Sequence, residues 1–378
     1  MKLYYLGYFD FQDSKVQRQY IVSAANKMEY IARAIQSVGY PIEFVSLSLS
    51  DKKGLSFHKA QMIERNGLKA HFFPTFDLPL CLKWLKDTWR CICVLQWGIK
   101  HLTKNDLVIS YHTTSKTSSI LSWLRKIKKF SIILEVEEIY SDVARIPKKA
   151  VKREYYTFEH CDGYIFSTEM LEEKLNTNHK PYVVIYGTYN VEEIVNKQKD
   201  NEIHVVYAGT FDKRKGGAAA AAAAAAYLPD NYIMHICGFG KPNEVDEMKK
   251  LVQELKRKGY KIIYEGLLKG NDYISLLQSC SIGLSTQDPS AKFNNTSFPS
   301  KILSYMSNGL SVVSIKIDAI SKSQIGNSIY YYEDQTPQEI AKSITSVDVV
   351  EREKNRKIIA ALDNSFKKEI TKLIEKSK

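Results

Sequence analysis

No uninterrupted apolar stretch in these 378 residues approaches the roughly 20 needed to cross a bilayer as a helix. The six cysteines include no Cys-x-x-Cys pair and are scattered through apolar segments, which argues for reduced thiols and against a disulfide scaffold or a zinc site. There is no Asp-x-Asp and no His/Cys grouping at ligand spacing, so no metal is expected. The basic glycine loop at 209–217 fits neither Gly-x-Gly-x-x-Gly nor Gly-x-x-x-x-Gly-Lys-Ser/Thr, which removes support from dehydrogenase and NTPase readings. Residues 1–7 read as a first strand and its turn, not as a signal peptide, so a cytoplasmic location is expected. What is in excess is positive charge. Lys and Arg total 54 against 42 Asp and Glu, a net charge of +12, which points to nucleic acid, acidic lipid or a phosphate-bearing substrate.

The length suffices for two α/β domains, each with its own core. Short apolar strands alternate with helical patterns, the arrangement of parallel sheets with crossover helices. In a first domain, 1–189, strands are predicted at 3–6, 42–47, 107–111, 132–136, 164–167 and 182–186, with a helix over 23–38 stopped by Gly39. The polar stretch 190–202 has no apolar period and reads as a linker. A second domain, 203–353, places strands at 205–207, 233–237, 262–264, 282–284 and 312–315, and a last helix is predicted within 354–378. The fold class is therefore α/β with two Rossmann-like domains built on parallel sheets. In such sheets ligands bind beyond the carboxyl ends of the strands. Gly7, Gly209, Gly238, Gly240 and Gly266 all follow predicted strands; for Gly238 and Gly240 a tight turn is the preferred reading.

Two segments carry the chemistry. Phe298-Pro299-Ser300-Lys301-Ile302-Leu303-Ser304-Tyr305-Met306-Ser307-Asn308-Gly309 reads as a loop opening a helix, with Ile302, Leu303 and Met306 at helical spacing and Asn308-Gly309 as its stop. Unpaired N–H groups and the dipole at such a helix start, with Lys301 added, suit a phosphate or diphosphate. The structural alternative is an ordinary loop-helix-strand unit with a solvated lysine. Upstream, the strand at 204–208 runs into Gly209-Thr210-Phe211-Asp212-Lys213-Arg214-Lys215-Gly216-Gly217 and then into nine alanines, Ala218 to Ala226. Alanine has the highest helix propensity, so this is again strand, basic glycine loop and helix start. A helix so poor in large side chains also implies close packing against a neighbour.

On these residues the chain resembles the retaining glycosyltransferases of the two-domain GT-B fold, and is similar to the large family 4 and its capsule and O-antigen polysaccharide branch. The family's donor loop, Gly-Arg-Leu-x-x-x-Lys-Gly, is matched by residues 209–216, with Thr210 where arginine is usual. Its second signature has two glutamates seven residues apart; aligned on Met306 and Gly309, these fall on Ser297 and Ser304. The resemblance implies two parallel sheets facing across a cleft, with the last helix returning to the first domain. It implies a nucleotide-diphosphate sugar as donor substrate with no cofactor and no metal, and retention at the anomeric carbon. Gly209, Thr210, Lys215, Gly216, Gly266, Ser300, Lys301 and Ser304 would hold the donor, Gly266 in a loop that meets the base.

Glu135-Val136-Glu137-Glu138, at the end of a predicted buried strand, is an acidic cluster in a basic chain. The family places a histidine, often followed by aspartate, where Glu137 and Glu138 stand. A carboxylate there could bind a sugar hydroxyl, orient a saccharide acceptor or act as a base; solvated carboxylates paired with Arg145, Lys148 or Lys149 are the alternative. His112, after the strand at 107–111, is a further catalytic candidate, with a structural role as its rival. Trp84, Trp89 and Trp97 among Lys83, Lys86, Arg90 and Lys100, and Trp123 beside Arg125, Lys126, Lys128 and Lys129, form basic-aromatic helices suited to an anionic membrane surface. Three readings remain at this level: an active sugar transferase on a lipid-linked acceptor at the inner membrane face, a nucleotide-sugar-binding or partner-stabilising subunit whose catalysis has decayed, and a nucleic-acid binder. The last lacks any recognisable nucleic-acid motif.

Overall fold

A computed structural model of the chain describes residues 1–11, 14–78, 83–195, 201–212, 217–288, 296–348 and 352–378, the side chains of residues 83 and 352 excepted. It divides into two compact units, residues 1–188 with 365–378, and residues 189–364. The first unit carries strands β1 (Leu3–Gly7), β2 (Ile42–Ser46), β3 (Phe57–His58), β4 (Gln61–Arg65), β5 (Leu68–Phe72), β6 (Thr75–Phe76), β7 (Leu107–Tyr111), β8 (Ser131–Val136), β9 (Gly163–Phe166) and β10 (Tyr182–Val184). Its helices are α1 (Val22–Ser37), α2 (Lys83–His101), α3 (Lys116–Lys128), α4 (Tyr140–Val143), α5 (Lys148–Glu159) and α6 (Glu169–Leu175). Eight strands form one sheet in the order β10-β9-β8-β7-β1-β2-β5-β4, so the order reverses at β1 and β7; β3 and β6 make a separate pair. All neighbours in the large sheet run parallel except β4 with β5.

Apolar runs explain the central strands. All five residues of β1 are buried, which requires cover on both faces, and parallel strands characteristically read this way. Tyr4 meets Trp97 of α2 edge to face at 5.1 Å. Helix α1 ends at Ser37, with Gly39 at φ +94°. The β4–β5 hairpin was not among the expected strands, although Asn66 and Gly67, at φ +48° and +78°, form its turn. Asn-Gly is the strongest short-range hairpin signal. It is masked in the sequence because β4 is mostly exposed and polar, so its apolar alternation is weak.

The second unit contains β11 (Ile203–Thr210), α7 (Ala218–Ala224), β12 (Tyr232–Phe239), α8 (Pro242–Arg257), β13 (Ile262–Gly266), α9 (Gly270–Ser279), β14 (Ile282–Ser285), α10 (Lys301–Ser307), β15 (Ser311–Ile315), α11 (Asp318–Ser321), β16 (Ile329–Tyr332) and α12 (Pro337–Thr345). The sheet order β13-β12-β11-β14-β15-β16, all parallel, is the doubly wound order 3-2-1-4-5-6, with its switch point between β11 and β14. Strand β16 also escaped the sequence reading. The alanine run forms α7 and then a 3₁₀ turn over Ala225–Tyr227, with Ala221, Ala222 and Ala224 fully buried. It packs on β11, β12, α8 and α12, the close neighbours that methyl-sized side chains allow.

Helix α13 (Arg352–Lys376) belongs to both units, residues 352–364 to the second and 365–376 to the first. In the second unit Asn355 donates to the Leu310 carbonyl at 2.8 Å. In the first, Phe366, Ile370, Leu373 and Ile374 are buried, and a Cβ on Gly163 would fall 2.8 Å from Leu373 Cδ1.

The tightest fit in the second sheet is Gly283 of β14 against the Tyr305 ring. A Cβ on Gly283 would lie 2.3 Å from Tyr305 Cγ, an atom with no freedom to move away. Gly283→Ala is expected to destabilise the protein by about 1–3 kcal/mol through overpacking. An unchanged urea midpoint would show that α10 is not held in this way.

Candidate active site

The site in the second unit starts from a gap in a ladder. Strands β11 and β14 pair only at Val205 with Ile282 and Val206 with Gly283. Beyond that they separate, and buried peptide groups there need other partners. The Tyr305 hydroxyl supplies them. It accepts from the Ala208 N–H at 2.9 Å and lies 3.4 and 3.3 Å from the Ala208 and Leu284 carbonyls. Tyr305 is fully buried, so α10 is fixed to the sheet at the switch point.

Lys301 sits one helical turn before Tyr305 and therefore on the same side of α10. Its Nζ stands 4.5 Å from the centroid of the Tyr207 ring, a cation–π contact. The Tyr207 hydroxyl in turn donates to the Thr210 carbonyl at 2.8 Å. A Cβ on Gly209 would come within 3.4 Å of Lys301 Nζ, so the missing side chain leaves room for the ammonium. Burial lowers the Lys301 pKa to about 8. Among the described residues no carboxylate forms an ion pair with it. A shielded cation without an anion is a counter-ion site.

The other expected donor residues are placed as follows. Lys215 and Gly216 lie outside the described residues, whereas Gly217, at φ +100°, lies so close to β14 that a Cβ would sit 2.4 Å from the Thr286 carbonyl oxygen. Thr210 Oγ1 accepts from the Asp212 N–H at 3.2 Å. Ser300 precedes α10 and its carbonyl accepts from Leu303 and Ser304 N–H groups, while its side chain makes no cap bond. The Ser304 side chain hydrogen-bonds the Tyr273 hydroxyl of α9. Gly266, at φ +72°, ends β13 on the far side of β12 from β11. Gly238 is locked by packing, since a Cβ there would fall 1.9 Å from the Gly209 carbonyl oxygen.

Sequence reasoning missed Tyr207, Tyr305 and the segment Ser285-Thr286-Gln287. Ser285 Oγ, Thr286 Oγ1 and Gln287 Nε2 are buried at the carboxyl end of β14 and have no hydrogen-bond partner among the described residues. Orphaned polar atoms of this kind call for a ligand or water. The available signal was a polar run directly after the apolar strand at 282–284.

The first unit has its own polar cluster beside the β1/β7 reversal. Lys27 of α1, 5% exposed, binds Glu137 Oε1 at 2.6 Å. The Glu137 side chain keeps 27% of its surface, and Glu138 is also partly exposed. Glu135, which the sequence reading left unassigned, is fully buried and accepts from the Tyr5 hydroxyl at 2.5 Å. His112 is shut between Tyr140 and Phe158, at ring separations of 4.9 and 4.8 Å, and its Nε2 lies 3.5 Å from Glu154 Oε1. Burial holds its pKa down near 3, so the imidazole is neutral.

The sequence matches no protein-family model and no curated protein. Its fold is shared with solved structures. Sucrose-phosphate synthase from Thermosynechococcus elongatus superposes with a TM-score of 0.69 at 13% identity, over 99% of this chain and 98% of that one. HepE from Anabaena, in complex with UDP, gives 0.65 at 14% identity, over 99% and 100% of the two chains. The α,α-trehalose 6-phosphate synthase from Burkholderia multivorans gives 0.61 at 8% identity, over 99% and 96%. At these identities the likeness is one of fold, and the chain has the α/β architecture of parallel sheets in two domains that these GT-B glycosyltransferases share.

Proposed function

We propose that this chain is a glycosyltransferase that moves a sugar from a nucleoside-diphosphate sugar to a saccharide acceptor. The carrying observation is Lys301, an ammonium held on Tyr207 at the switch point of a doubly wound sheet and, among the described residues, in no ion pair. When a nucleoside diphosphate departs, negative charge concentrates on its β-phosphate. An ammonium already in place in a shielded site stabilises that charge more than it stabilises the bound donor. Ser300, Thr210 and Gly209 border the same point, and Lys215 and Gly216 keep their sequence-based assignment to the diphosphate. Gly266 belongs to the base-facing loop in this reading. The fold shared with a UDP-bound structure supports it. Retention and metal independence follow from the family resemblance alone.

A second reading has one specific observation behind it. Ser297 and Ser304 stand where the resembled family has glutamates, and Ser304 is already engaged by Tyr273. A nucleotide-sugar-binding subunit with decayed catalysis would bind donor without transferring sugar.

The acceptor we propose is lipid-linked, in surface polysaccharide synthesis, reached from an anionic membrane face. Among the described residues no helix is long and apolar enough to cross a membrane. Helices α2 and α3 pack together and leave Ile92, Ile99, Trp123 and Ile127 exposed beside Lys126 and Lys129. Not all of the basic-aromatic pattern serves this face. Trp97 is buried under Tyr4, Trp89 donates to the Pro74 carbonyl at 2.7 Å, and Arg125 is paired with Asp162.

Lys301→Ala is expected to weaken UDP binding or slow turnover by roughly tenfold or more, the scale of a lost charge-assisted hydrogen bond. The lowered pKa adds a pH signature. Binding a diphosphate favours the charged amine, so wild type should take up a proton on binding UDP above about pH 8 and bind less tightly there. Calorimetry in buffers of different ionisation enthalpy reads this directly, and Lys301→Ala should lack it. Equal UDP affinity and proton uptake in both proteins would remove Lys301 from the site.

For the membrane face, the measurement is co-sedimentation with vesicles containing anionic lipid. Wild type should sediment at low salt and much less at high salt, because basic side chains near a charged leaflet are screened. Replacing Trp123 and Ile127 with serine should weaken binding at both. Failure to sediment at low salt would leave the transferase with a soluble acceptor.

A further inference from the structure

At the carboxyl end of the second sheet, Phe239 turns an aromatic ring outward on the side that carries Lys301. The register fixes that side. Val206 of β11 pairs with His235 of β12 and, on its other flank, with Gly283 of β14. Gly283 meets the Tyr305 ring of α10, so the residues paired on this face look toward α10. Side chains alternate along a strand, which puts Cys237 and then Phe239 on the face of His235. Phe239 is in register with Thr210, at the level where β11 passes Gly209 and the Lys301 ammonium.

The ring is 56% exposed, yet its backbone is fixed. The Phe239 carbonyl accepts from the Phe211 N–H at 2.7 Å. On either side of it, a Cβ on Gly238 would strike the Gly209 carbonyl oxygen, and one on Gly240 would lie 3.1 Å from Phe211 Cβ. Phe211 is buried behind this turn, whereas Phe239 is left in the open. Single exposed apolar residues are ordinary. Here a second one follows on the next strand. Gly266, at φ +72°, is in register with Cys237 at the end of β13, and Leu267 just beyond it is also exposed. Neither the N–H nor the carbonyl of Leu267 is in a backbone hydrogen bond among the described residues.

Spacing makes these features one site. Neighbouring strands lie about 4.8 Å apart, so the end of β13 is about 10 Å from that of β11, with Phe239 between them. A nucleoside diphosphate anchored at Lys301 and laid toward β13 brings its base over Phe239, with the edge of the base toward Leu267. The other neighbour of β11 ends in the polar Ser285-Thr286-Gln287, which offers a flat base no apolar face.

We propose that Phe239 is the platform on which the donor's nucleobase stacks. The inference rests on the transferase reading, since it takes the diphosphate at Lys301 as its starting point. A ring held on a fixed backbone loses little freedom when a base settles on it.

Calorimetry on the full chain with UDP, CDP, ADP, GDP and pyrophosphate tests the platform. Phe239→Ala should weaken the tightest-binding nucleotide by roughly tenfold, the scale of one base–aromatic stack. Pyrophosphate, which has no base, should bind Phe239→Ala as it binds wild type, whereas Lys301→Ala should lose affinity for both. Phe239→Tyr should bind the nucleotide nearly as wild type does. The melting temperature of Phe239→Ala without ligand should be unchanged, because the ring is exposed; a merely structural role would lower it. Equal nucleotide affinity in wild type and Phe239→Ala overturns the platform and leaves the transferase reading standing. So does an equal loss of nucleotide and pyrophosphate in that variant. If wild type binds none of the four nucleotides, the transferase reading fails and the platform with it.

Discussion

One hydroxyl group organises the second unit. Strands β11 and β14 must separate to open a crevice at the switch point, and separation strands peptide groups in a dry interior. The Tyr305 phenol takes over where the ladder stops, binding Ala208 while lying near the Leu284 carbonyl. Because the ring needs the space left by Gly283, and Lys301 rides one turn earlier on the same helix, three features reduce to one constraint. They are a glycine in a central strand, a short buried helix and a cation over Tyr207.

Both units place their unusual electrostatics where strand order reverses, and they solve opposite problems. The second holds a cation that meets no carboxylate among the described residues, and burial lowers its affinity for a proton. The first buries Glu135 beside the Lys27–Glu137 ion pair and raises the affinity of that buried acid for a proton. In each case burial sets the direction.

The elements that the sequence made legible are those whose signal is local. Continuous apolar runs such as Val205-Val206-Tyr207 and Val312-Val313 mark central parallel strands, and Lys301 could be singled out because loop, helix start and charge are adjacent. Tyr305 and Tyr207 could not, because their roles depend on β14 lying beside β11, an ordering that no local pattern encodes. The acidic run at the end of β8 was visible, yet Lys27, which pairs with Glu137, is 110 residues away in sequence. Likewise, the three tryptophans of 78–102 look alike in sequence, and only packing distinguishes buried Trp97 from exposed Trp84.

Helix α13 has a consequence for how the chain is made. The first unit consists of residues 1–188 together with 365–378, so Phe366, Ile370 and Ile374 complete a core whose other members were synthesised long before. During translation, everything the second unit needs emerges before the first unit has its last helix. Until residues 365–378 are made, the amino-terminal unit lacks Phe366, Ile370 and Ile374, and the surface that receives them is uncovered. The residues of the second unit are therefore all made before those of the first are complete. A chain cut after residue 364 would hold every residue of the second unit and lack the helical segment that completes the first.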